Sequence, residues 1–159
     1  MKLLSIVFSF RNEEKNIPEL IDRVVKTLDK LSDWKYELIF VNDDSNDDSE
    51  KILKENQKSY FIKIINMSRR FGTGPCVLAG LKIAEGDAVI YMDSDLQDPP
   101  EIIPDLIKKF EEGAEVVHTK RTKRLGESRL KMFITKIAYI TINKISDIPL
   151  EINAGDFKL

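Results

Sequence analysis

Apolar residues fall along this chain in short unbroken runs, separated by stretches where they recur every three or four positions. Leu3 to Phe10, rich in Ile, Val and Phe, reads as a buried strand that ends at Arg11-Asn12-Glu13-Glu14. Pro18 suits the first turn of a helix, in which Leu20, Ile21, Val24, Val25, Leu28 and Leu31 return with helical period. Tyr36 to Val41 is a second strand, and Asn46-Asp47-Asp48-Ser49 offers capping side chains to a helix carrying Ile52 and Leu53. Phe61 to Ile65 is a third strand. Gly72, Gly74 and Pro75 then lead into a helix bearing Val77, Leu78, Leu81 and Ile83, closed by Glu85-Gly86. Asp87 to Met92 is a fourth strand, a short helix near Pro104 to Phe110 follows, and Ala114 to Thr119 is a fifth strand. This alternation predicts an α/β fold, a mostly parallel sheet flanked by helices.

Glu127 to Ile145 breaks the rhythm. Leu130, Phe133, Ile134, Ile137, Ala138, Thr141 and Ile145 mark one helical face, and Met132, Tyr139, Ile140 and Ile142 widen it until Lys136 stands almost alone. A helix so apolar needs cover on most sides. The cover is either protein or, because basic residues precede the stretch, a membrane interface. Self-association through residues 130–145 is a further expectation. The chain reads as one catalytic domain over 1–159 that stops within its next element after Asn153, with no tail.

At 42% hydrophobic and 33% charged, the composition is that of a folded domain. The single cysteine, Cys76, excludes an internal disulfide framework and any multi-cysteine metal site. A net charge of -2 gives no case for nucleic-acid binding. Charge is nevertheless segregated. Lys120, Arg121, Lys123, Arg124, Arg129 and Lys131 crowd together, while acid dominates 42–50 and 93–101. Acidic pockets and one basic strip suit an anion handled through a metal on one side and side-chain cations on the other.

The candidate chemistry lies where apolar strands end in acid. Asp93-Ser94-Asp95 follows Ala88 to Met92, and Asn42-Asp43-Asp44 closes Leu38 to Val41. Carboxylates at the carboxyl ends of two strands suggest a ligand crevice. In extended chain, Asp93 and Asp95 point the same way and converge on one ligand. A hard divalent cation prefers such oxygens together with phosphate oxygens, and Gln97 offers another. The bland alternative is a solvated acidic turn. Asp43 is either an acceptor for a base edge or ribose, or part of the turn. Arg69 and Arg70 pair either with a phosphate or with nearby acids. Neither a P-loop nor a dinucleotide fingerprint is present. His118 and Cys76 read as packed or surface residues, since no Ser-His-Asp or Cys-His device accompanies them.

The phrases Val7-Phe8-Ser9-Phe10-Arg11-Asn12-Glu13-Glu14, Phe40-Val41-Asn42-Asp43-Asp44-Ser45, Ser68-Arg69-Arg70-Phe71-Gly72, Asp93-Ser94-Asp95-Leu96-Gln97-Asp98-Pro99-Pro100-Glu101 and Asn153-Ala154-Gly155-Asp156-Phe157 stand in this order. Together they resemble the family-two glycosyltransferases, in the branch that transfers sugars to polyprenyl phosphates. The resemblance implies a GT-A type fold, a nucleotide-sugar donor, inversion at the anomeric carbon and a bound Mg²⁺ or Mn²⁺. By resemblance, Asp43, Asp93 and Arg69 belong to the nucleotide-sugar site, Asp95 and Gln97 to the metal, Asp156 to the reacting centre, and Arg121, Arg124 and Arg129 to the acceptor phosphate. It also implies action at the cytoplasmic face of a membrane. The family usually writes glycine where this chain has Asp44, a difference that matters if the position needs positive φ. Pro75 stands where an N–H would otherwise face the phosphate. Two other readings share these residues: a glycosyltransferase with a sugar hydroxyl acceptor, and a catalytically silent nucleotide-binding or interaction domain.

Overall fold

The computed structural model describes residues 1–120 and 154–159. Arg121, Arg124, Arg129 and the apolar stretch 130–145 lie outside the described residues. The chain divides into two compact units, Met1–Val117 with Asp156–Leu159, and His118–Gly155. The first holds the strands β1 (Lys2–Phe10), β2 (Trp34–Asn42), β3 (Ile62–Asn66) and β4 (Ala88–Asp93). Its helices are α1 (Ile17–Leu28), α2 (Ser49–Asn56), α3 (Thr73–Ile83) and α4 (Ile103–Glu111), the last preceded by a 3-10 turn at Pro100–Ile102. In the second unit β5 is His118–Lys120, shorter and later than the fifth strand expected from the sequence.

β1 pairs in parallel with β2 on one side and β4 on the other, and β2 pairs in parallel with β3. The expected parallel α/β sheet is thus borne out. Its order, β3-β2-β1-β4, reverses direction at β1. Such a switch point leaves a crevice outside the carboxyl ends of the strands, because the flanking connections depart to opposite faces. A final strand, β6 (Ala154–Lys158), lies antiparallel to β4 through Tyr91 and Lys158.

Alternation along β1 decides which helix packs where. Leu4, Ile6, Phe8 and Phe10 face a large core with Leu20, Ile21 and Val24 of α1, Leu53 of α2, and Ile103, Leu106 and Ile107 of α4. Phe8 stacks on Phe40 of β2, with ring centroids 4.6 Å apart. Val7 looks the other way, into a smaller core with Ile39, Val41, Cys76 and Tyr91.

Only α3 covers that second face among the described helices, and it does so through small residues. Leu78, Leu81 and Ile83 are exposed, whereas Cys76 and Gly80 are its buried residues. A Cβ on Gly80 would overlap the Val7 side chain, so the absence of a side chain sets how closely α3 approaches β1. Gly86 has a similar duty at the other end of the sheet. There a Cβ would lie 2.6 Å from both Ala88 O and Ser5 N.

Candidate active site

The crevice is built from loops stitched to one another by side chains. The Ser45 and Ser49 hydroxyls accept the backbone N–H groups of Asn12 and Glu13, at 3.0 and 2.9 Å. Asn46 N–H donates to the Asn12 carboxamide, Glu14 N–H to Asp47, and Asp48 N–H to Glu14. Asn12 and Asp44 both have positive φ, 58° and 60°. Asp44, where the resemblance leads one to expect glycine, therefore does adopt the left-handed region, which aspartate tolerates better than most residues. The Asp47 carboxylate serves this scaffold, accepting the N–H groups of Glu14 and Ser49. Asp48 instead stands at the N-cap of α2 without a side-chain capping bond and contributes its backbone N–H.

Asp43 is buried, and its two carboxylate oxygens accept the backbone N–H groups of Phe71 at 2.6 Å and Gly72 at 2.9 Å. Burial opposes its charge. The two N–H groups, the Cys76 thiol and the nearby Arg70 outweigh that cost and hold the carboxyl below its ordinary range. The same contact pushes the Cys76 thiol up to about 11, through burial first and the Asp43 charge second. Cys76 is therefore a protonated packing residue. Arg69 and Arg70 form no ion pair among the described residues. The Arg69 guanidinium sits 4.6 Å from the Phe71 ring centroid, over its face. Pro75 lies in the first turn of α3, where an N–H has no intrahelical partner to lose.

Asp93 ends β4 in register with Ser9 of β1. The Tyr91 hydroxyl donates to Asp93 Oδ1 at 2.5 Å. The next residues form a tight loop. Ser94 Oγ donates to the Ser9 carbonyl at 3.0 Å, and Asp95 Oδ1 accepts the N–H of Gln97 at 3.0 Å in an Asx-type turn. Leu96, between them, has φ of 62°, a costly conformation for a branched apolar residue. Its side chain packs on the large core, which offsets part of that cost. Further on, Arg23 of α1 grips Glu101 with two hydrogen bonds of 2.9 and 2.8 Å. The acidic loop is thereby anchored at both ends.

These elements enclose a crevice of about 300 Å³ whose lining includes Ser9, Arg11, Asp43, Thr73, Asp93 and Asp95. The structure thus brings together three of the acids singled out in the sequence, Asp43, Asp93 and Asp95. Gln97 is exposed outside the lining, and Arg69 lies on the loop that Asp43 anchors. Asp156 is on β6 (Ala154–Lys158), the antiparallel neighbour of β4. Sequence reasoning missed Arg11 and Tyr91. Tyr91 was readable in principle, since residues i and i+2 of a strand share a face and Asp93 lies two positions on.

No described group of three or more His, Cys, Asp and Glu side chains forms a ready-made metal cage. The donor set nevertheless fits a hard cation of the Mg²⁺ kind, which takes one or two protein carboxylates and completes its shell with phosphate and water oxygens. Carboxylates of this kind, Asp93 and Asp95, line the crevice.

The model of glycosyl transferase family 2 matches residues 5–159. Over 157 residues the chain is 43% identical to the uncharacterized glycosyltransferase sll0501 of Synechocystis sp., covering 98% of this chain and 49% of that protein. It is 40% identical to a prophage bactoprenol glucosyl transferase homolog of Escherichia coli, covering 98% of this chain and 51% of the other. The chain thus spans about half the length of the curated relatives it matches. Among solved structures, Staphylococcus aureus TarS 1-349 in complex with UDP superposes with a TM-score of 0.64 at 26% identity, over 80% of this chain and 38% of that one. This likeness bears out the GT-A type architecture expected from the sequence. A family match across nearly the whole length, with relatives at 40% identity or more, establishes that the chain belongs to glycosyl transferase family 2.

Proposed function

We propose that residues 1–159 are the catalytic part of an inverting transferase that moves a sugar from a nucleotide-sugar donor to a polyprenyl phosphate at the cytoplasmic face of a membrane. The observation that carries the donor half is the convergence of Asp43, Asp93 and Asp95 on one crevice at the carboxyl ends of β2 and β4. The family match and the UDP held by TarS support it. The acceptor half is supported by the bactoprenol glucosyl transferase homolog and by the basic run Arg121 to Arg129.

In this reading Asp43 and the loop it anchors receive the nucleoside, with Arg69 beside it. Asp93 faces the ribose and diphosphate, and Asp95 and Gln97 are the ligands for Mg²⁺ or Mn²⁺. The bound ion would offset charge growing on the leaving diphosphate. The acceptor phosphate has its second pKa at about 6 and is mostly dianionic at neutral pH, so it needs holding more than deprotonation. Arg121, Arg124 and Arg129 hold it, and Asp156 orients the reacting centre. A sugar hydroxyl acceptor would instead require Asp156 as general base. No helix among the described residues is long and apolar enough to cross a membrane. In this reading residues 130–145, apolar and preceded by basic residues, contact the membrane interface.

The acceptor assignment is tested by sedimentation with vesicles containing undecaprenyl phosphate. Replacing Arg121, Arg124 and Arg129 together with Gln is expected to reduce retention on the vesicles about 10-fold or more, as removal of several cations from a basic segment should. Nucleotide affinity should stay unchanged. Loss of nucleotide affinity with retention intact would move these arginines to the donor side.

A further inference from the structure

Tyr91 is a strand residue with an aromatic ring in the core and a hydroxyl at the crevice. It is 7% exposed, and its ring packs in the smaller core with Val7, Ile39, Val41 and Cys76. Its hydroxyl donates to Asp93 Oδ1 at 2.5 Å, and Ser9 Oγ stands 3.4 Å from the same hydroxyl. A carboxylate only accepts, so the direction of the Tyr91–Asp93 bond is settled by chemistry. The ring cannot readily follow Asp93 if the carboxylate turns, because it is buried against Val7, Ile39, Val41 and Cys76. Rotation about the Asp93 side chain therefore breaks this bond.

We propose that Tyr91 is the positioning residue for Asp93: it fixes one carboxylate oxygen so that the carboxylate is presented to the cation-diphosphate of the donor. This inference rests on the donor reading above and adds to it the residue that orients its central acid. Side chains that hold a ligating carboxylate from behind typically contribute 10- to 100-fold to metal affinity, because they remove the freedom that binding would otherwise cost. Ser9, opposite Asp93 across the β1–β4 pair, completes a short polar row along the crevice floor.

Tyr91→Phe keeps the ring and removes the hydroxyl. The probe is whichever of UDP, GDP, CDP and dTDP the wild-type chain binds best, titrated by calorimetry with Mn²⁺ and again with EDTA. The variant should bind about 10-fold more weakly with Mn²⁺. It should match the wild type in EDTA and keep its circular dichroism spectrum. In an Asp93→Asn background, Tyr91→Phe should add no further loss with Mn²⁺, since the carboxylate it orients is gone. Equal affinity with Mn²⁺, an equal loss with and without the metal, or a full additional loss in the Asp93→Asn background would each overturn the inference. A wild-type chain that binds none of the four nucleotides would overturn the donor reading itself, an outcome separate from any behaviour of the variant.

Discussion

Lys63→Ala is expected to destabilise the protein by about 2–3 kcal/mol, although Lys63 lies far from the crevice. Glu37 is fully buried in β2, beside Ser5 of β1, at the amino ends of the strands. Its Oε2 pairs with Lys63 Nζ at 2.7 Å, and its Oε1 accepts the Ser5 hydroxyl at 2.5 Å and Glu85 N–H at 2.9 Å. Removing one partner of a buried pair leaves an uncompensated charge, at a cost of about 3–5 kcal/mol when both are enclosed. Lys63 is 24% exposed and water reaches it, which lowers the figure. The melting temperature should fall by roughly 5–10 °C, given the size of the chain. Adding Glu37→Gln to Lys63→Ala should recover most of the loss. No recovery would show that Lys63 acts through its aliphatic stem.

The same pair sets a pH window. Burial works against the Glu37 charge, but Lys63, Ser5 and Glu85 N–H hold its pKa below the ordinary 4.5. Its stabilisation is whole above that value and is lost as pH falls through the lowered one. The hydrogen bond to Glu37 raises Lys63 above its ordinary 10.5 despite desolvation, with Glu85 adding to it. That contribution is whole below 10.5 and is lost at more alkaline pH.

Asp43→Ala should be costly for both stability and binding. It strips the acceptor from two backbone N–H groups, at about 1–3 kcal/mol for each one left unsatisfied. Partial hydration of the freed loop keeps the expected total near ~3 kcal/mol. Nucleotide affinity should fall at least about 10-fold, because the 68–72 loop loses its anchor beside the crevice. Asp43→Asn separates the two effects: its carboxamide keeps one acceptor oxygen and turns an NH₂ toward the other N–H. Calorimetry with thermal melts on both variants checks this, and wild-type binding by Asp43→Ala would remove Asp43 from the donor site.

The acidic site was legible because acid directly after a buried strand has few structural uses. Asp43, Asp93 and Asp95 accordingly meet in one crevice. The alternation of strands and helices was legible for the same reason of pattern. Glu37 was not, since a single acid between Tyr36 and Leu38 reads as an ordinary lapse in an apolar run, and its partners lie on β1, on β3 and in the Glu85 turn. The packing face of α3 was not legible because Leu78, Leu81 and Ile83 carry the hydropathy, whereas the helix touches the sheet through Gly80 and Cys76. Close approach selects small residues, and hydropathy does not register them. The stitching between 12–14 and 45–49 is made by long-range side chain to backbone bonds that no local pattern announces. Asp44 lies between: the family resemblance marked the position, and its φ of 60° shows what the usual glycine is for.

The central claim is that Asp95, with Gln97, holds a divalent cation against the nucleotide-sugar diphosphate that Asp93 faces. Calorimetric titration of UDP-, GDP-, CDP- and dTDP-sugars, with Mn²⁺ and then with chelator, tests it most directly. At least one donor should bind about 10-fold or more tightly with the metal, and Asp95→Ala should abolish that increase while leaving the metal-free affinity in place. Equal affinity with Mn²⁺ and with chelator for every donor that binds, or an undiminished metal effect in Asp95→Ala, would contradict the account.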